Sequence, residues 1–225
     1  MIDSDSHHML SANPAVPVRW TLRRMTVLDG VERLIVLLFY LQMVVRLVRD
    51  AYLLHNPMAM LLLPSEGLVI ALVVLRRPAR ELTTRWSDWL AAMAATALPT
   101  LVVATAGSRD GRLIAVAGWL AIIGLTVQVH AKLTLGRTMG MVAANRGIRV
   151  AGPYQWIRHP MYLGYLISHV AFLSMNWCAW NLSVLSLVTM LQVYRVVAEE
   201  KLLGNDPDYR RYQDRVRYRI LPGVF

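Results

Sequence analysis

Cysteine is almost missing from the 225 residues. Cys178 stands alone, so a disulfide-stapled scaffold is excluded and the redox compartment is left open. Charge is scarce as well. Asp, Glu, Lys and Arg make up 17% of the chain, against about 25% in ordinary soluble proteins. Lysine is nearly absent, with two residues against 22 arginines, a bias that suggests a GC-rich bacterial coding sequence. Apolar residues reach 56% and mean hydropathy is +0.42. That much apolar surface excludes disorder, and one soluble core could not keep it from water. What remains is an all-α, polytopic helical membrane protein. The net charge of +10 and pI near 10.3 would suggest nucleic acid for a soluble chain. In a membrane chain the same excess marks cytoplasmic loops facing anionic lipid, so membrane lipids and no nucleic acid are expected as partners.

A spanning helix needs about 20 mostly apolar residues. Six stretches come close: 31–48, 58–75, 86–106, 113–135, 161–174 and 177–198. The fifth is short, and only Met175 and Asn176 separate it from the sixth, so these two read as a tight helical hairpin. With the N-terminus inside and six crossings, twenty Lys and Arg residues fall on the cytoplasmic side. Only Arg46, Arg49, Arg109 and Arg112 fall outside. That asymmetry supports six spans with both termini cytoplasmic, in a bacterial inner membrane. The first thirty residues lack a signal-peptide pattern, and residues 1–12 are polar. The chain therefore divides into a partly disordered polar segment (1–30), N-terminal spans (31–124) and a functional core (125–225).

Polar residues at membrane depth are costly and so mark function. They concentrate in two blocks. In the first, Gly152-Pro153-Tyr154-Gln155-Trp156-Ile157-Arg158-His159-Pro160-Met161-Tyr162-Leu163-Gly164, Pro160 suits the first position of a helix. His159 precedes it and is pushed out of the α region, which places it at the N-cap, where anionic groups bind readily. In the second block, Arg195 and Glu199 are four apart and share a helix face, while Glu200 points about 100° away. Either block could also be bland: a re-entry loop touching headgroups, a structural ion pair, a basic surface helix. Glu66 reads as capping a break at Pro64. Gln128 and His130 line a site or bond between helices, and His55 and His169 read as packed or interfacial. No His, Cys or carboxylate cluster has metal-ligand spacing, and there is no P-loop or nucleophile elbow.

Taken in order, these blocks resemble the isoprenylcysteine carboxyl methyltransferase family, whose wider group includes membrane phospholipid N-methyltransferases. The resemblance rests on Leu135-Gly136-Arg137, then Gly152, Tyr154, Arg158, His159, Pro160, Tyr162 and Gly164. Arg195, Glu199, Glu200 and Leu203 follow, then Tyr209, Tyr212, Tyr218, Arg219, Pro222 and Gly223. It covers roughly residues 125–225. It implies S-adenosylmethionine as methyl donor, bound at the cytoplasmic face by Tyr154, His159, Pro160, Tyr162, Glu200 and Gln128. Arg195 and Glu199 would be catalytic, Arg195 orienting an acceptor carboxylate. No metal is implied. The segment 208–225 is expected to fold back, with Tyr209, Tyr212 and Tyr218 over the cofactor. Tyr154, His159, Arg195 and Glu199 are expected to converge in one pocket.

Those residue types suit the chemistry. Methyl transfer from a sulfonium to an anion destroys charge, so a dry site favours it, and close positioning supplies much of the catalysis. A buried carboxylate needs a cation, and arginine offers a bidentate fork. A boundary site lets a polar cofactor enter from the cytosol and a lipophilic acceptor enter sideways from the bilayer. Three alternatives stay open: N-methylation of a phospholipid or small amine, with Glu199 serving the amine; a membrane NADPH-dependent reductase of related architecture; and a non-enzymatic membrane protein. Oligomeric state is not legible.

Overall fold

The computed structural model describes residues 18–53, 57–105 and 110–224; His55 lies outside them. Among the described residues, seven α-helices carry the fold: α1 (Val18–Leu53), α2 (Pro57–Val74), α3 (Trp86–Ala97), α4 (Gly111–Leu135), α5 (Pro160–Met175), α6 (Ala179–Leu203) and α7 (Pro207–Arg215). Two short strands, β1 (Glu81–Leu82) and β2 (Ala144–Asn145), pair antiparallel and tie the loop after α2 to the loop after α4.

Two described helical segments are long and apolar enough to cross a bilayer, Gly111–Thr138 and Ala179–Leu203. The outward faces agree with a lipid environment. Leu34, Leu38, Leu41 and Val45 on α1, Trp119 and Ile122 on α4, and Leu187 and Met190 on α6 are all exposed. A water-facing surface would not carry so continuous an apolar band.

Several expectations need correction. The third apolar stretch is not one helix. α3 stops at Ala97, and a 3-10 turn over Leu98–Leu101, with Pro99 near its start, precedes extended chain. Twelve residues of α-helix rise only about 18 Å, so a crossing of about 30 Å at this stretch would also need the turn and the extended chain beyond it. α1 begins at Val18, well before the apolar stretch, because its inward positions Asp29, Glu32, Val36 and Tyr40 recur at helical spacing around polar as well as apolar partners. α2 passes through Pro64 unbroken. Glu66 therefore caps nothing; its carboxylate lies 3.9 Å from the Lys132 ammonium, which also donates to Ser65 at 2.9 Å.

The hairpin exists in sequence, with only Asn176–Cys178 between α5 and α6, but α5 packs chiefly along α4. Two glycines set that contact. A Cβ on Gly164 would lie 2.8 Å from the Gly124 carbonyl, and one on Gly124 would lie 2.9 Å from the Gly164 carbonyl. Gln128 fastens the same seam, donating to the Gly164 carbonyl (3.2 Å) and the Ser168 hydroxyl (2.9 Å).

A buried ionic cluster joins the N-terminal helix to the loops. Asp29 and Glu32 face Arg76 and Arg146. Arg146 reaches both carboxylates, at 2.8 and 2.5 Å, and Arg76 reaches both at 3.1 Å. The sequence counted these two arginines as surface charges, yet they are 3% and 4% exposed. Desolvation lowers the Arg76 pKa, and the neighbouring Glu32 opposes that shift.

Candidate functional site

His159 occupies the N-cap of α5, with φ −132° and ψ 59°, and Pro160 opens the helix. The non-helical entry follows from the proline, which disfavours helical geometry just before it. The C-terminal segment fastens this entry, because the Arg158 and His159 amides donate to the carbonyls of Tyr218 and Arg219 at 2.9 and 2.8 Å. Residues beyond α7 thus fold back onto the Arg-His-Pro turn.

α6 brings the second block alongside. Glu200, buried, accepts from Arg219 Nε at 2.8 Å, pairs with Arg158 Nε at 3.1 Å and lies 3.2 Å from His159 Nε2. Glu199, about a third of a turn away, accepts from the Tyr162 hydroxyl at 2.5 Å and lies 3.7 Å from His159 Nδ1. Arg195 donates to the Met141 carbonyl at 2.6 Å, and its guanidinium sits over the Tyr162 ring, 5.5 Å from the centroid. The helical offset read from the sequence sets Glu200 apart, and the Tyr162 ring divides the face that Arg195 and Glu199 share. Glu200 ties loop and tail together, Glu199 faces a cavity, and Arg195 faces the opposite way around Tyr162.

Two adjoining cavities result. The first, a cleft of about 770 Å³ counted out to its mouth, is lined by Tyr154, Arg158, His159, Tyr162, Glu199, Tyr209 and Tyr212, with Gly140, Val142 and Arg146 opposite. The second, a chamber of about 820 Å³ likewise counted out to its mouth, is lined by Tyr40, Glu66, Tyr165, His169, Gln192 and Arg195. Met139, Gly140 and Met161 border both. A third, largely apolar groove of about 1390 Å³ runs between α4 and α5 and meets the chamber at Met43, Pro99, Tyr165 and His169.

The tyrosines of the cleft are neutral by construction. Burial raises the Tyr154 phenol pKa well above its usual value, and the nearby Glu199 charge adds to this. Burial likewise raises Tyr209 and Tyr212. The Tyr212 hydroxyl donates to the Tyr154 carbonyl at 2.7 Å, and the two α7 rings meet edge to face at 5.7 Å. The Tyr209 hydroxyl is buried, lines the cleft and has no hydrogen-bond partner among the described residues.

The expected residues are thus placed unequally. Tyr154, His159, Tyr162 and Glu199 line one cleft. Glu200 and Pro160 stand behind it and shape it. Arg195 lines the chamber on the far side of Tyr162 rather than the cleft itself. Tyr209 and Tyr212 cover the cleft, but Tyr218 does not line it; its carbonyl, not its ring, is the group used. Gln128 serves the α4–α5 seam and borders the apolar groove, away from the cleft. Sequence reasoning missed the loop 139–147, whose backbone forms one wall of the cleft. Its Gly140 packs against the Arg146 guanidinium, and no catalytic residue type marks it.

No curated protein matches the chain. Residues 116–205 match the model of the Isoprenylcysteine carboxyl methyltransferase (ICMT) family. That segment runs from α4 to the end of α6 and contains Tyr154, His159, Tyr162, Arg195, Glu199 and Glu200. Over that segment, the chain is similar to the isoprenylcysteine carboxyl methyltransferase family of membrane enzymes.

Proposed function

We propose that the protein is an integral-membrane methyltransferase that moves a methyl group from S-adenosylmethionine to the carboxylate of a lipophilic acceptor. One observation carries the reading: two cavities share a wall, with a carboxylate (Glu199) and four tyrosines on one side and a guanidinium (Arg195) on the other. The cleft fits a polar cofactor bearing hydroxyls and a positive sulfonium. Glu199 offers a negative acceptor, and the Tyr209 hydroxyl offers a hydrogen bond that no described residue satisfies. When bound, the cofactor supplies the electrophilic methyl group. Arg195 holds the acceptor carboxylate through its fork, and the chamber keeps water from it. The carboxylate oxygen forms the new O–CH₃ bond as the sulfur–methyl bond breaks. The products are a neutral ester and a neutral thioether, so no proton needs to move.

The apolar groove that opens on the chamber would take the acceptor's hydrocarbon part, entering from the bilayer. The same reading includes six crossings with both termini cytoplasmic, supported by the uneven distribution of arginine, and a bacterial inner-membrane location. It makes 125–225 the catalytic core. A second reading has its own observation: Glu66 lines the chamber too, which suits an amine and hence N-methylation.

Calorimetric titration with S-adenosylmethionine and S-adenosylhomocysteine tests the cofactor. Micromolar binding is expected in the wild type and its loss in Glu199→Ala; absence of binding by folded protein refutes the proposal. Label transferred from methyl-labelled cofactor to a lipophilic acid, and released by mild base, identifies the ester. Base-stable label identifies the amine reading.

A further inference from the structure

The carboxylates of the buried cluster, Asp29 and Glu32 on α1, lie outside the family-matched segment, yet they reach the site. Glu32 is fully buried. Its Oε1 accepts from the backbone amides of Met141 and Val142 at 2.8 and 3.0 Å. Its Oε2 meets Arg146 at 2.5 Å and Arg76 at 3.1 Å. The carbonyl of that same Met141 receives the Arg195 guanidinium at 2.6 Å. One peptide segment is thus held from α1 and in turn holds Arg195 on α6. Its neighbours Met139 and Gly140 form the partition between cleft and chamber.

A buried ion cluster is a poor source of net stability, because desolvation offsets most of the attraction. Retaining four charges in a core makes sense where they fix a geometry that apolar packing would leave loose. The loop 139–143 has no helix or ladder of its own to hold it, and its amides at 141 and 142 would otherwise be buried donors without partners.

We propose that Glu32 is a positioning residue for acceptor binding: it fixes the Met141 backbone, and through the Met141 carbonyl it aims Arg195 into the chamber. The inference rests on the methyltransferase reading for its kinetic consequence and on geometry alone for its structural one. α1 is then part of the acceptor site and more than an anchor.

The experiment uses full-length protein in nanodiscs, with S-adenosylmethionine and N-acetyl-S-farnesylcysteine as a lipophilic acid probe. Glu32→Ala is expected to raise the KM for the acid about tenfold, as losing a hydrogen bond to a charged group does, with cofactor affinity unchanged within about twofold. Glu32→Gln keeps an acceptor oxygen for the two amides and is expected to recover most of the loss. Asp29→Asn perturbs the same ionic cluster, through Arg76 and Arg146, without removing a bond to the Met141 or Val142 amide, and is expected to leave KM unchanged. Glu32→Ala combined with Arg195→Ala is expected to bind the acid no worse than Arg195→Ala alone, since the first acts through the second. Additive losses, or an Asp29→Asn effect equal to that of Glu32→Ala, overturn the proposal. Glu32→Met, of similar volume and without an acceptor, replaces Glu32→Ala if the latter does not fold. Amide exchange over residues 139–143, read on the same samples, needs neither cofactor nor turnover. About tenfold faster exchange is expected in Glu32→Ala and none in Asp29→Asn. A wild type that neither binds S-adenosylmethionine nor methylates the acid refutes the methyltransferase reading, and the exchange result then decides by itself whether Glu32 holds the loop.

Discussion

Removing the Glu200 carboxylate is expected to release the C-terminal tail from the site. Glu200 is the junction of three separate pieces of chain: the turn before α5 through Arg158 and His159, the helix α6 that carries it, and the tail through Arg219. Arg219 is 37% exposed in its side chain, so solvent screens that pair and its share is about 1 kcal/mol at most. Arg158 is 9% exposed and Glu200 6%. Stripping the partner from such a buried charge costs about 3 kcal/mol or more. The two together give roughly 3–4 kcal/mol against the closed tail, which is about a 100- to 1000-fold rise in its open population. In Glu200→Ala, hydrogen exchange over 207–224 should accelerate by that order, and cofactor affinity should fall with it because Tyr209 and Tyr212 leave the cleft. Glu200→Gln, which keeps one acceptor oxygen, should lie between. Exchange within about threefold of wild type in Glu200→Ala would show that the tail is held by its backbone bonds to Arg158 and His159 and would refute the reasoning.

Tyr162→Phe removes the hydroxyl that Glu199 accepts and leaves the ring beneath Arg195; a weakening of cofactor binding of about tenfold is expected, the worth of one hydrogen bond to a charge, measured by calorimetry. Gly164→Ala drives a Cβ to 2.6 Å from Gln128 Cγ and 2.8 Å from the Gly124 carbonyl, and a loss of about 1–3 kcal/mol by overpacking should appear as a lower melting temperature in detergent. Asp206 caps α7 and accepts from Asn145 at 2.8 Å, which with the cap bond from Asp208 lowers its pKa below the ordinary 3.8. Its contribution is therefore complete above the usual carboxylate range and disappears only as pH falls below it. Melting of Asp206→Asn compared with wild type should differ at neutral pH and converge in strong acid. The buried phenols act in the other direction: raised pKa values at Tyr154, Tyr209 and Tyr212 mean that stability is intact below pH 10 and declines above it, which alkaline melting curves check.

How much of this was legible follows the range of each interaction. His159 at the N-cap was readable because the constraint comes from the very next residue. The divergence of Glu200 from the face shared by Arg195 and Glu199 was readable because helical periodicity settles it within two turns. The ionic cluster was not, because Glu32 meets Met141 and Arg146 across more than a hundred residues, and counting arginines assigns each a place at the surface. The end of α3 was not, because hydropathy averages over Pro99. Arg195 was grouped with the cleft because residues on one helix face were taken to share one cavity, whereas the Tyr162 ring divides that face. The use of the Tyr218 carbonyl in place of its ring carries no sequence signature at all.

The interlock of Gly124 and Gly164 has a consequence for how a bilayer-borne molecule gets in. With backbone against backbone and Gln128 bolted across, α4 and α5 have neither the side-chain slack nor the spare hydrogen bonds to slide past one another. They behave as a single fixed jamb. On the methyltransferase reading, a doorway to the chamber would therefore lie at the opposite post, where Met43 of α1 and Pro99 of the 3-10 turn border both groove and chamber. Substitutions there, rather than on the α4–α5 seam, are where the size of the admitted molecule can be retuned without unmaking the fold.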